Sequence, residues 1–163
     1  MLSSNKELNL KSINTREKIS IIITTIIISY NHEKYIEKAI ESAVQQQGYF
    51  IHEILISDDF SSDNTQQIIN KYEKKYPKLI KNIPNKKTLG ISNNMKKCFE
   101  LANGKYIAIL EGDDYWTDNR KLEKQMNFLE QNKDCSMCFS RVNILGISGK
   151  TTLLDIQDNL PNK

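Results

Sequence analysis

Short apolar runs alternate along the chain with stretches of helical spacing. Residues 19–29 are apolar on both faces and rich in β-branched side chains, the pattern of a strand buried inside a parallel sheet. Residues 33–47 carry Tyr35, Ile36, Ala39, Ile40, Ala43 and Val44 at helical spacing, and Gly48 follows as a stop. A second strand is predicted over 51–57. A second helix follows over 63–76, with Ile68, Ile69 and Tyr72 on one side and Pro77 just past its end. Residues 79–83 read as a short third strand and 84–89 as a polar loop. Over 91–103 a helical face gathers Ile91, Met95, Cys98, Phe99 and Ala102, and Gly104 suits the position after the last turn. Residues 105–110 predict a fourth strand, 119–132 a fourth helix with Leu122, Met126 and Leu129 inward, and 135–142 a fifth strand. Beyond Ile144 the pattern decays, and 151–163 predict no element.

This β-α-β-α-β-α-β-α-β order predicts an α/β fold, a mostly parallel sheet flanked by helices on both faces. Ligands of such sheets sit outside the carboxyl ends of the strands. The residues just after each strand are therefore the candidates for chemistry.

Length and composition fit one soluble globular domain: 163 residues, 39% hydrophobic and 26% charged. We assign it to 19–144, with 1–18 as a flexible leader and 145–163 as an irregular tail or the start of a further half. The net charge of +3 comes from scattered lysines and excludes the clustered basic stripe of a nucleic-acid binder. Weak peripheral attraction to an anionic membrane is compatible with it. The apolar run at 19–28 superficially resembles a signal peptide, but no small-residue cleavage site follows. It also falls short of the roughly 20 residues that span a bilayer. Three cysteines without framework spacing point to a reducing compartment. Cys135 and Cys138 would lie on opposite faces of the fifth strand, which disfavours a shared metal or a redox pair.

After the first strand come Ser29, Tyr30 and Asn31. After the second come Asp58, Asp59, Ser61, Ser62 and Asp63. After the fourth come Glu111, Gly112, Asp113, Asp114, Tyr115 and Trp116. The topology predicts that six carboxylates (Asp58, Asp59, Asp63, Glu111, Asp113 and Asp114) converge on one sheet edge. Clustered carboxylates repel, and a divalent cation relieves that repulsion; hard oxygen ligands favour Mg²⁺ or Mn²⁺. Plainer readings compete. Asp58 and Asp59 suit a turn or helix cap, Asp63 a cap, and Gly112 a permissive turn. Tyr30 suits a rim aromatic, and Trp116 an anchor beneath the loop.

These residues carry a resemblance. Ile21 to Asn31, Ile54 to Thr65, Gly104 to Ala108, Glu111 to Trp116 and the following Leu122-Glu123-Lys124-Gln125 resemble, in order and spacing, the family 2 glycosyltransferases of the GT-A fold. The resemblance implies a nucleotide-sugar site with Ser29 and Tyr30 lining the base pocket and Tyr30 against uracil. Asp59 would accept the uracil imide N–H, and Asp58 would support the loop. Asp114 would coordinate the cation bridging the diphosphate, with Asp113 on the cation or the ribose. Glu111, Gly90 and Asn94 would support the donor site. The donor is then a nucleotide-diphosphate sugar, UDP-linked. The acceptor is a saccharide or lipid-linked saccharide of bacterial surface polysaccharide synthesis. Transfer would be inverting and cytoplasmic, with peripheral association at the inner membrane face.

Three departures stand out. Glu111 replaces the usual Asp, and Ile28-Ser29 replaces the usual Pro-Thr. In the family the acceptor site and the catalytic base lie in a later half, so the chain reads as C-terminally truncated, with no general base; Asp155 and Asp158 match no base motif. A non-catalytic nucleotide-sugar-binding module is the first rival. A receiver-like phosphoacceptor domain lacks its Lys after the last strand. A dinucleotide-binding enzyme lacks the glycine-rich turn after strand one.

Overall fold

The computed structural model describes residues 23–146 and 151–154. The expected leader, the first residues of the first strand, Asp155 and Asp158 lie outside them. The elements run β1 (Ile23–Ser29), α1 (Ile36–Val44), β2 (His52–Asp58), α2 (Thr65–Lys75), β3 (Ile80–Asn82), α3 (Ile91–Leu101), β4 (Tyr106–Glu111), α4 (Lys121–Gln131), β5 (Val142–Leu145) and β6 (Thr151–Leu154).

β1 to β4 form one parallel sheet in the order β3-β2-β1-β4. β1 is central and buried at every position. It is apolar on both faces because helices cover both. Ile27, Ile54, Ile56, Ile80 and Leu110 meet Ile36, Ile40, Ile69 and Tyr72 from α1 and α2. On the other face Ile26 and Ile28 meet Cys98 and Met95 of α3. Ile27 is fully buried, so Ile27→Ala is expected to cost about 2–5 kcal/mol of stability in chemical denaturation. α4 is tied to the outer strand through Glu130, which accepts hydrogen bonds from Lys105 Nζ, Lys133 Nζ and Tyr106 Oη. Those bonds, the one from Lys105 foremost, hold the Glu130 carboxyl down at about 2.

The expected fifth strand is corrected. Residues 135–141 form no strand, and β5 starts at Val142. It pairs antiparallel with β6, in a two-stranded sheet separate from the main one. An apolar run reports a preference for extended backbone but not which edge it will pair with. Met137 and Phe139 lie exposed. β6, four residues long, is too short for its period to be read. The argument that Cys135 and Cys138 occupy opposite strand faces falls with the strand; all three cysteines are free thiols.

At the amino end of the sheet His52 Nε2 lies 2.7 Å from Thr25 Oγ1, and Phe50 packs edge-on against the ring. Burial lowers the His52 pKa from 6.5 to about 4, against a smaller raising effect of Glu53. Between those values the unfolded chain holds the extra proton, so stability falls as pH drops through the window. The denaturation midpoint should fall between pH 6.5 and 4, and less steeply in His52→Gln. Parallel titrations of the two proteins check this, because effects of the carboxylates are common to both.

Candidate functional site

Because β1, β2 and β4 are parallel, the loops after them emerge at one edge. Two main-chain bonds fix them there: Asp59 N–H donates to Ser29 O at 2.8 Å, and Gly112 N–H donates to Ile28 O at 2.9 Å. Gly112 is glycine for space rather than for an unusual backbone angle. A Cβ there would lie 2.7 Å from His32 Nδ1 and 3.0 Å from both Ile28 O and Ser29 Oγ.

Side chains lace the first two loops together. Asn31, at φ 54°, accepts from Ser62 N–H at 2.9 Å, and its own N–H donates to Ser61 Oγ at 2.8 Å. Asp58 accepts from Ser61 N–H at 3.0 Å and from the Ser61 hydroxyl, so it shapes the turn. Asp63 accepts from Thr65 N–H at 2.9 Å and Glu33 N–H at 3.0 Å, a capping role. Thr65 Oγ1 accepts from His32 N–H at 2.8 Å. Phe60, an aromatic at φ 64°, is held in a backbone region costly for a bulky residue.

These loops and the start of α3 enclose a cavity of about 370 Å³. Ser29, Tyr30, Asp59, Gly90, Asn94, Glu111 and Asp113 all line it, bringing together seven of the residues expected from the sequence. Asp58 and Asp114 do not line it. Asp114 lies in the same turn as Asp113, its N–H donating to Glu111 O at 3.1 Å. Tyr30 stands half-exposed at the rim. Asp59 is buried and accepts from Asn85 Nδ2 at 2.9 Å, Leu89 N–H at 2.8 Å and Gly90 N–H at 2.9 Å. Gly90 adopts φ 80° while donating that bond, which explains a glycine there. Asn94 is buried and bonded to Ser57 and Asn85, so it holds the cavity wall from behind.

The six carboxylates come to one edge of the sheet, as expected, but they are not gathered around one point. Asp58 and Asp63 spend their oxygens on backbone and side-chain donors, and Asp59 takes three such donors while still lining the cavity. Among the described residues no three His, Cys, Asp or Glu side chains are grouped to hold a metal ion. Two neighbouring aspartates nevertheless fit a cation that is completed by phosphate oxygens, as Mg²⁺ sites commonly are. Asp113 and Asp114 are exposed and carry no capping duty. Ser29 Oγ and His32 Nδ1 are buried without a protein partner beside this turn, a polar lining of the kind a ligand satisfies.

Two residues of the site escaped the sequence reading. His32 lines the cavity, its Nε2 3.9 Å from Asp113 Oδ2; the only signal was its place next to Tyr30-Asn31. Asn85 sits in what read as a merely polar loop. A second cavity of about 470 Å³, near Ser42 and Trp116, holds a single carboxylate, Asp118, already bonded to Lys124 at 2.6 Å. It has no comparable constellation. Trp116 packs against the first core cluster, as an anchor should.

A parallel sheet covered by helices on both faces, with its site loops gathered at the carboxyl ends of its strands, defines the α/β class of this fold. The chain matches the model of glycosyl transferase family 2 over residues 24–159, and it belongs to that family. An uncharacterized protein of Mycobacterium tuberculosis is 38% identical over 76% of this chain and 36% of its own length. The putative teichuronic acid biosynthesis glycosyltransferase TuaG of Bacillus subtilis is 33% identical over 78% of this chain and 49% of its own. The Escherichia coli protein UDP-Glc:alpha-D-GlcNAc-diphosphoundecaprenol beta-1,3-glucosyltransferase WfaP is 39% identical over 69% of this chain and 43% of its own. The structure of S. aureus TarS in complex with UDP-GlcNAc superposes with a TM-score of 0.61 and 26% identity, over 69% of this chain and 32% of TarS. The chain thus spans between about a third and a half of the length of these proteins.

Gly112→Ala should push the acidic turn off β1. Hydrogen exchange checks this: the Gly112 and Asp59 amides should be protected in the native protein, and in the variant position 112 should lose protection while Asp59 keeps it.

Proposed function

We propose that this chain binds the nucleotide-sugar donor of a metal-dependent glycosyltransferase, with UDP as the nucleotide. The observation that carries this reading is one cavity wall bearing Tyr30, Asp59 and Asp113 together. Tyr30 offers a ring face at the mouth. Asp59, buried and rigidly held, offers an acceptor to the imide N–H of uracil. Ser29 Oγ offers a free hydroxyl beside them. The UDP-GlcNAc complex of TarS, over a matching segment, supports a UDP-linked donor.

Asp114, with Asp113, would hold Mn²⁺ or Mg²⁺ against the diphosphate; Glu111 and Gly112 set the turn that presents them. When bound, the cation supplies Lewis-acid stabilisation of charge on the departing diphosphate. The residues of this chain bind the base, fix the loops and present the Asp pair. Gly90 and Asn94 hold the wall at the start of α3. None of the described residues is proposed as the general base that deprotonates the acceptor. Inverting transfer to a saccharide or lipid-linked saccharide in surface polysaccharide synthesis is part of the proposal, supported by the names of TuaG and WfaP. A cytoplasmic site, with peripheral membrane contact, follows from where such donors are made. No helix among the described residues is long and apolar enough to cross a membrane.

Calorimetric titration of UDP with Mn²⁺ present, with the cation chelated, and on Asp114→Ala tests the reading. Binding should require the cation and weaken at least about 10-fold in the variant, the scale of one lost charged contact. Absence of binding with Mn²⁺ present would contradict it.

A further inference from the structure

Asp59 does not hold its place alone. Behind it a chain of side chains runs to α3. Lys97 Nζ donates to Asn85 Oδ1 at 2.7 Å and to the carbonyl oxygens of Ile83 at 3.1 Å and Pro84 at 3.2 Å. An ammonium only donates, so the Asn85 atom it meets is the amide oxygen. The Asn85 amide nitrogen is thereby turned the other way. It lies 2.9 Å from Asp59 Oδ1 and 2.8 Å from Asn94 Oδ1. Asn94 is oriented independently, since its Nδ2 donates to Ser57 O at 3.1 Å. The Asn85 amide thus has one orientation, held from both ends: Lys97 on its oxygen, and the Asp59 and Asn94 oxygens on its nitrogen.

The consequence falls on Asp59. Oδ1 receives Asn85 Nδ2 and Leu89 N–H; Oδ2 receives Gly90 N–H. With three N–H donors aimed at it, the carboxylate acts as an acceptor. One acceptor position of Oδ2 is left for the cavity that Asp59 lines. A base edge presenting an N–H donor, as uracil does at N3, matches that position. Cytosine presents a lone pair at the same atom and meets an acceptor with an acceptor.

We infer that Lys97 and Asn85 are positioning residues that set selectivity for a uracil over a cytosine nucleotide at this site. The inference rests on the donor-site reading above and adds residues that touch no ligand. Loss of Asn85 frees one side of Asp59 and the loop it holds. Loss of the Lys97 ammonium releases the Asn85 oxygen, so the amide and the loop that carries it are no longer pinned against Asp59.

The test compares UDP with CDP by calorimetry in the presence of Mn²⁺, for the native protein, Asn85→Ala, Lys97→Met and Lys97→Arg. Ribose and diphosphate are common to both ligands, so the ratio of dissociation constants isolates the base edge. The native protein should prefer UDP by at least about 10-fold, the value of one well-made polar contact. Asn85→Ala and Lys97→Met should bring the ratio close to one with little change for CDP, and Lys97→Arg should retain most of it. Because Asn85 is buried, its variant is also followed by thermal melting, and the folded Lys97 pair decides if Asn85→Ala does not fold. Equal weakening of both nucleotides, or an unchanged ratio in Lys97→Met, overturns the relay. Native protein that binds UDP and CDP equally overturns it while leaving the donor site standing. Native protein that binds neither overturns both.

Discussion

The last two carbonyl groups of β1 carry the site. Ile28 O holds the acidic turn through Gly112 N–H, and Ser29 O holds the second loop through Asp59 N–H. Both acceptors belong to a strand buried on both faces and paired in parallel on both edges. Its position is set by packing, so the two loops inherit a rigid reference. Tyr30 follows on the same strand end. The aromatic, the buried carboxylate and the Asp pair are spaced by a single element, and short loops that no hydrophobic core could fix alone are placed by two hydrogen bonds.

The acidic residues then divide by duty. Asp58 and Asp63 close turns, and Asp59 is half structural, tying the segment before α3 while keeping an acceptor toward the cavity. Only the turn after β4 leaves carboxylates uncommitted. This division reconciles a chain of slightly basic net charge with a local site suited to a cation. The acidic turn rests on the end of β1, and the lacing of Asn31 to Ser62 joins β1's loop to that of β2. The proposed ligand, spanning base and diphosphate, would therefore contact parts of one mechanically continuous edge.

Much of this was legible in the sequence, for identifiable reasons. The apolar run ending at Ser29 had to be an inner parallel strand, and alternation with helical spacing then sent Tyr30, Asp59 and Asp113 to one edge. Asp63 was readable as a cap from its place before a helix. What failed has physical causes too. Summing carboxylates by strand end overlooked the backbone donors that consume Asp58 and Asp63. Extended propensity at 135–142 said nothing of pairing, and the strand formed later, at Val142, in a separate hairpin. Asn85 and Lys97 sit twelve residues apart, and their contact depends on how the loop after β3 folds back onto α3, which no local pattern encodes. Gly112 was read as a turn glycine, whereas the close approach of His32 and Ile28 is what excludes a side chain.

We place base, diphosphate and cation, as proposed, along the edge defined by the end of β1. Paramagnetic broadening of backbone amide signals by Mn²⁺ in the presence of UDP tests it directly. Signal should be lost around Gly112 to Tyr115, with weaker broadening at Tyr30, Asp59 and Gly90, and none at His52, Asn103 or Gly104 on the opposite edge. Broadening centred on the opposite edge, or confined to scattered surface carboxylates and unchanged by UDP, would contradict it.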